Sequence, residues 1–338
     1  VVHKRHALVE GPTGTGKAAA QLAVALYQAV EHGKRVLICT ATIALQEQLV
    51  DELNRLVEIL PWRVEVAVLK GLGNYACHEQ VQLSSRRGEL NSFYTDELQQ
   101  QADDVLTWFG KTSTGDVAEL PFVPDPLVWS RVSTSSDECK GEDCPHHGAC
   151  FAEKAKRDAR AARIVVTNTS MLCAYLSVVS ETGNHDVLPP FDLLMIDEAH
   201  ELADTARGFF GFTLSEPQLR RLTAGAKELE LEEHADKLRI EGGAFFEQLR
   251  RHRAVGEPGG VLRGPLSLSA DAFVAALNAL YVAAEGLDPD VDLADCNRAD
   301  ARLLARRAQK FAARLREAVT IADKKKVCLL YTSPSPRD

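Results

Sequence analysis

Residues Glu10 to Lys17 read Glu-Gly-Pro-Thr-Gly-Thr-Gly-Lys, and no other stretch constrains the chain as much. His6 to Glu10 before it is a short, mostly apolar run, as a buried strand would be. Ala18 to Val30 after it is rich in Ala, Leu and Val with no breaker, which predicts a helix. Strand, glycine loop and helix are the context of a phosphate-binding loop. Gly11, Gly14 and Gly16 permit a tight turn that aims N–H groups at an anion, and the helix N-terminus adds a partial positive charge. Lys17 would reach the outer phosphates, with Pro12, Thr13 and Thr15 completing the cradle. A plain glycine-rich turn fits the same local spacing. One position departs from the pattern: Ala18 stands where a Ser or Thr hydroxyl would bind magnesium.

The chain has 338 residues, room for two or three domains. No run of about 18 apolar residues occurs, so no membrane span is expected. A net charge of −9 gives no global attraction to nucleic acid, so any such site must be a local basic patch. Eight cysteines without a secretion signal point to a reducing compartment, where clustered thiols bind metal more often than they pair. The chain opens on Val1-Val2 rather than methionine and is expected to be a fragment.

Further strands are expected at Val36 to Thr40, Val64 to Leu69, Ile164 to Thr167 and Leu193 to Ile196. Leu45 to Leu60 has helical spacing and stops at Pro61. Residues 79 to 110 look helical and polar, residues 111 to 138 loop-rich, and Phe151 to Arg163 a basic helix. Residues 214 to 254 and 270 to 322 are Leu-, Ala-, Arg- and Glu-rich with helical spacing, and no strand is expected there. The tail from Val327 is expected to be disordered or non-native.

Four groups of residues carry chemistry. Asp197-Glu198-Ala199-His200 follows a buried strand. There Asp197 could hold magnesium and Glu198 could deprotonate an attacking water, at the strand end where open α/β sheets bind ligands. Acidic capping of a following helix gives the same pattern. Cys77, Cys139, Cys144 and Cys150 could hold zinc or an iron–sulfur cluster, and His78, His146 and His147 keep zinc open. Cys39 and Cys173 lie in apolar runs and read as core. Thr40, Thr42 and Gln46, at a strand end, either donate to a polynucleotide backbone or cap the next helix. Lys154, Arg157, Arg160 and Arg163 lie along one side of a helix whose other side carries Ala155, Ala159 and Ala162. That side is either a solvated face or a strand-tracking patch.

In this order the motifs resemble the iron–sulfur superfamily-two DNA helicases of the DinG and XPD type, the bacterial DinG type above all. The resemblance is carried by Glu10 to Lys17, Thr40 to Leu49, Lys70-Gly71, Asn74-Tyr75-x-Cys77, Thr114-Gly115-Asp116-x-x-Glu119-Leu120, the three later cysteines, Val165 to Asn168 and Asp197 to His200. It implies an α/β fold: a parallel-sheet, RecA-like first motor domain with an inserted cluster domain and an all-helical arch-like domain. The expected boundaries are 1–76 with 164–203 for the motor, 77–163 for the cluster domain, 204–322 for the arch and 323–338 for the tail. It implies ATP and Mg2+ as cofactors, a 4Fe–4S cluster on the four cysteines, and 5′ to 3′ movement on single-stranded or forked DNA in repair and replication. Lys17, Asp197 and Glu198 would be catalytic. Gly11 to Ala18 would cradle the nucleotide. Thr40, Thr42, Gln46, Asn168, Lys154, Arg157 and Arg160 would touch DNA, and His200 would couple the two. A monomer in the bacterial cytoplasm, associated with the nucleoid, is expected. Ala18 should weaken magnesium binding and slow hydrolysis. Without a second motor domain the chain should not unwind DNA. The competing readings are a non-catalytic nucleic-acid-binding module and a zinc-stabilised nucleotide-binding protein.

Overall fold

The computed structural model describes residues 6–11, 15–59, 63–251, 260–262, 268–287, 295–320 and 328–330. Two compact units form: Val1–Ser136 with His146–Gly211, and Asp137–Pro145 with Phe212–Asp338.

In the first unit, helix α1 (Lys17–Glu31) leads to strand β1 (Val36–Thr40), helix α2 (Ile43–Ile59) and strand β2 (Val66–Val68). Helices α3 (His78–Arg86), α4 (Asp96–Phe109), the single turn α5 (Pro126–Trp129) and α6 (Phe151–Ala161) follow. Strand β3 (Ile164–Asn168), helix α7 (Thr169–Thr182), strand β4 (Leu193–Ile196) and helix α8 (Leu202–Phe209) complete it. The strands form one parallel sheet in the order β2-β3-β1-β4. Val-Leu-Ile-Cys in β1 and Ile-Val-Val in β3 are buried throughout, as central parallel strands require. Alternate side chains serve opposite faces. Val36, Ile38, Ile164 and Val166 pack with Leu22, Leu26, Leu49 and Leu53 of α1 and α2. Leu37, Cys39 and Val165 pack with Ala159, Ala162 and Leu172 of α6 and α7. The result is the α/β, RecA-like layering expected of the motor domain.

Five expectations need correction. His6–Glu10 is not a strand: Leu8 and Val9 are 92% and 84% exposed. Leu8 and Val9 would contribute roughly 1.5–3 kcal/mol each if buried, against about 1–2 kcal/mol for ordering each residue of the segment, so one edge ladder gives no clear gain. Residues 79–110 divide into α3 and α4, because Gly88 turns the chain and Thr95 starts a new helix by accepting from Leu98 N. Helix α7 was not anticipated. Asn168 caps it by accepting from Met171 N at 2.8 Å, and Gly183 ends it. The second unit does contain strands. The tail also begins in an ordered strand, and its part from 331 lies outside the described residues, as do Pro12, Thr13 and Gly14 of the glycine loop.

That second unit is built from α9 (Glu216–Glu228), α10 (Glu232–Arg251), β5 (Gly260–Leu262), α11 (Asp271–Glu285), α12 (Asp295–Thr320) and β6 (Cys328–Leu330). Strands β5 and β6 pair antiparallel through Val261 and Leu329. Each is too short for a helix, and the ladder is what satisfies their backbone groups. Leu222, Leu238, Phe245, Phe273, Leu277, Leu304 and Leu315 share one apolar core. Phe273 lies at its centre, with Phe245 at 5.7 Å and Phe311 at 5.5 Å between ring centroids. A capping box of Ser215 and Gln218 starts α9.

The sequence between β2 and β3 is organised by the Thr-Gly-Asp turn. Thr112 and Thr114 donate their hydroxyls to Glu119 at 2.6 and 2.5 Å. Gly115 sits at φ +66, and a Cβ there would lie 2.3 Å from Phe151, the residue after Cys150. Gly115→Ala should therefore cost about 3 kcal/mol, from left-handed strain plus overpacking. Urea denaturation monitored by circular dichroism checks it.

Candidate nucleotide and strand site

The parallel sheet brings the carboxyl ends of β1 and β4 side by side. Cys39 pairs with Ile196, and Asp197 N donates to Cys39 O at 2.8 Å. Asp197 and Glu198 thus leave the sheet beside the start of α1. Gly16 holds that start in a left-handed conformation, φ +80, and no side chain caps the helix. The first-turn N–H groups of α1 face no acidic side chain of their own turn, an arrangement suited to an anion. Lys17 Nζ stands 3.1 Å from Glu198 Oε1, across 181 positions of sequence. Glu198 Oε2 lies 3.4 Å from Nδ1 of the exposed His200. The backbone of Glu198 is itself left-handed, φ 48, which costs a non-glycine residue about 1 kcal/mol and aims its carboxylate toward α1.

The Lys17–Glu198 pair is about one-third exposed on both sides. Pairs so placed contribute about 0–1 kcal/mol, so a phosphate can displace this one at little cost. Ala18 packs partly buried against the apolar layer of α1 and α2. Its side chain offers no hydroxyl and faces that layer.

Beside these groups the ends of β1 and β3 are locked together. Thr40 is fully buried and donates to Thr42 O at 3.0 Å, while Thr169 donates to Thr40 O at 3.0 Å. Thr42 caps α2 by accepting from Leu45 N at 3.2 Å. Gln46 is fully buried, and its amide donates to Leu69 O and Val166 O at 3.3 and 3.0 Å. Its placement corrects the expectation of a surface contact: it ties α2 to the strand ends. Asn168 is also buried and spends its oxygen capping α7. Of the expected strand-contacting residues, Lys154, Arg157 and Arg160 are exposed along α6, whose other side buries Ala159 and Ala162. Lys154 donates to Ser113 O at 3.0 Å and Arg160 to Asp186 O at 3.3 Å.

A DEAD/DEAH box helicase family model matches residues 1–96. The chain is 36% identical over 266 residues to the ATP-dependent DNA helicase YoaA of Escherichia coli, covering 75% of this chain and 39% of YoaA. It is 38% identical over 216 residues to the ATP-dependent helicase DinG of Mycobacterium tuberculosis, covering 59% of this chain and 32% of that protein. The 3'-5' exonuclease DinG of Bacillus subtilis is 33% identical over 215 residues, 62% of this chain and 22% of that protein. Over the matched residues the chain is similar to the DinG-like helicases. It spans well under half the length of these relatives.

In this DinG-like chain the four candidate metal ligands are half-buried thiols. Cys77 precedes α3 and Cys150 precedes α6, where each stands as the N-cap residue. His78 beside them stacks on Phe151 at 4.8 Å, and burial with the nearby His146 lowers its pKa. Among the described residues no three His, Cys, Asp or Glu side chains are gathered as a metal-binding group. The cysteine set therefore rests on its spacing in the sequence. Cys39 and Cys173 are core thiols as expected, both fully buried. Burial, with Cys173 adding to it, pushes the Cys39 thiol up to about 12.

Sequence reasoning missed one cluster. The Lys70 ammonium, its side chain 1% exposed, lies 2.9 Å from Glu47 of α2 and 2.8 Å from Asp116 of the Thr-Gly-Asp turn. Its backbone N–H donates to the Tyr75 hydroxyl at 3.1 Å. Burial pushes the Tyr75 phenol up to about 12, with Asp116 adding to the rise and the Lys70 N–H opposing it. The available signal was a lysine following the apolar run Val66–Leu69, since a lysine drawn into such surroundings needs anionic partners.

Two outcomes are expected. Lys70→Met leaves Asp116 half-desolvated without its cation and should cost about 3 kcal/mol in urea denaturation. The neutral Tyr75 phenol favours the fold fully below the unfolded value near 10, and this contribution is lost as pH rises through about 12. Tyr75→Phe should flatten that part of the stability–pH curve.

Proposed function

We propose that this chain is the first motor domain of an ATP-dependent helicase moving 5′ to 3′ on single-stranded or forked DNA in replication and repair. The observation that carries the reading is the meeting of Lys17 with Glu198 at adjacent strand ends. Lys17 would bind the outer phosphates of ATP, supported by the N–H groups of Gly11 to Gly16 and the first turn of α1. Asp197 would hold Mg2+, directly or through water. Glu198, released from Lys17 when the phosphates arrive, would orient the attacking water and take its proton. His200, 3.4 Å from Glu198, would report the change toward a bound strand. That strand would run past Thr42 and along Lys154, Arg157 and Arg160 of α6. Thr40, Gln46 and Asn168 would act from beneath, fixing the strand ends.

Cys77, Cys139, Cys144 and Cys150 would hold the 4Fe–4S cluster. The donor set suits it: half-buried thiols in a chain whose described cysteines form no disulfide. When bound, such a cluster supplies a rigid cross-link and a redox-responsive centre. The second motor lobe, with the arginines that complete the ATP site, would lie in the part of the relatives that this chain does not span. The parent would act as a cytoplasmic, nucleoid-associated monomer.

A second reading, nucleotide-responsive binding of nucleic acid without turnover, is favoured by Ala18, which offers no oxygen to magnesium and packs toward the core. Titrating the purified chain with ATP and Mg2+ distinguishes the two. Lys17→Ala should weaken ATP binding by about tenfold to a hundredfold, from loss of a charged hydrogen bond. Glu198→Gln should retain binding and slow hydrolysis by at least about a hundredfold. Ala18→Thr should raise the magnesium-dependent rate. Binding by the parent chain with no hydrolysis, in either its Ala18 or its Thr form, would favour the second reading. Elemental analysis showing zinc instead of iron would favour a zinc-stabilised protein.

A further inference from the structure

Charged contacts converge on the short segment Asp137–Pro145, which carries Cys139 and Cys144 and belongs to the helical unit. Lys140 Nζ lies 2.9 Å from Asp300, with only 4% of the lysine side chain exposed. Arg302 Nη1 lies 2.5 Å from Asp143 Oδ1. Arg307 Nε donates to the Asp137 carbonyl at 2.5 Å, and Lys310 Nζ lies 3.0 Å from the Asp137 carboxylate. Arg221 of α9 lies 3.3 Å from Glu138. Asp300, Arg302, Arg307 and Lys310 all stand on α12. The same helix buries Leu304, Ala308, Phe311 and Leu315 in the unit's core, so its rotation is fixed.

Any one exposed pair would contribute little. Here the pairs share a rigid helix, and one lysine is almost wholly buried, so separating it from Asp300 costs more than opening a pair between two exposed side chains. Within the segment, Gly141 N donates to Cys139 Sγ at 3.4 Å, and Cys144 N donates to Gly141 O at 3.1 Å. Fixing Asp137, Lys140 and Asp143 therefore fixes the backbone on either side of both sulfurs.

We infer that α12, with α9, is the positioning element for Cys139 and Cys144: the helical unit holds these two thiols ready for their metal through Asp300, Arg302, Arg307 and Lys310. The metal part rests on the reading of the cysteines given above, whereas the tether stands on the contacts alone. Arg302, Arg307 and Lys310 act through the segment and touch no sulfur.

The test uses the full 338-residue chain and the double variant Arg302→Glu/Lys310→Glu. After chelator treatment, alkylation of Cys139 and Cys144 is timed by mass spectrometry, with Cys150 as internal reference. The double variant should react on the order of tenfold faster at Cys139 and Cys144, because local opening no longer has to break the tether. Adding Asp143→Arg and Asp137→Lys to it should restore slow alkylation, a rescue that loss of packing would not give. Iron and sulfide bound after anaerobic reconstitution should fall in the double variant, by about tenfold in affinity, and recover in the swap. Lys310→Ala alone, a mild exposed change, should give a smaller effect in the same direction and covers the case of a misfolded double variant. Alkylation unchanged in both variants would overturn the tether. A parent chain that binds neither iron nor zinc, while alkylation still responds, would overturn the metal reading and leave the tether standing.

Discussion

The parallel register of β1 against β3 and β4 is the constraint on which everything else depends. It places Thr40 opposite Asn168 and Cys39 opposite Ile196, so three chain segments far apart in sequence end at one level. The acidic residues, the capped start of α2 and the start of α1 are neighbours only because those ladders end together. A slip of one residue in β4 would turn its side chains to the other face and move Glu198 away from Lys17. The register is in turn held by burial: Val36, Ile38, Ile164 and Val166 face one helical layer, and Leu37, Cys39 and Val165 the other.

Much of this was legible in the residues. Val36 to Thr40, buried throughout, and the half-buried Leu193 to Ile196 were bounded correctly because parallel strands covered by helices are near-continuous apolar runs. Lys17 and Glu198 were expected to meet, and they do. Residues that touch only through tertiary structure were not legible in detail. Gln46 looked like a surface polar group, but a helix amide facing two strand carbonyls cannot be told from one facing a ligand by sequence alone. Asn168 and Thr169 likewise serve the local backbone, as short polar side chains at strand ends often do. The strand expected at His6 to Glu10 failed because an apolar run states a preference for burial without naming a partner.

Lys70 shows how a sequence motif can be explained by its support and not by its chemistry. The Thr-Gly-Asp turn is one of the motifs that carry the family resemblance. In this molecule its hydroxyls satisfy Glu119, its glycine makes room for Phe151, and its aspartate neutralises a buried ammonium that also grips α2. The turn, Lys70 and helix α2 therefore share one polar junction inside an apolar setting, where each partner left alone would be costly. That ties the sequence between β2 and β3 to the parallel-sheet unit electrostatically as well as topologically.

The left-handed backbone at Glu198 has a consequence for how this position can vary. Long before chemistry is asked about, the peptide geometry screens the candidates: β-branched residues are penalised most, whereas Gly, Asn and Asp sit there most easily. The residues the backbone favours are too short, or lack the carboxylate, to span the gap to Lys17. Drift at this site is thus squeezed between a conformational filter and a reach requirement, and glutamate is among the few side chains that pass both.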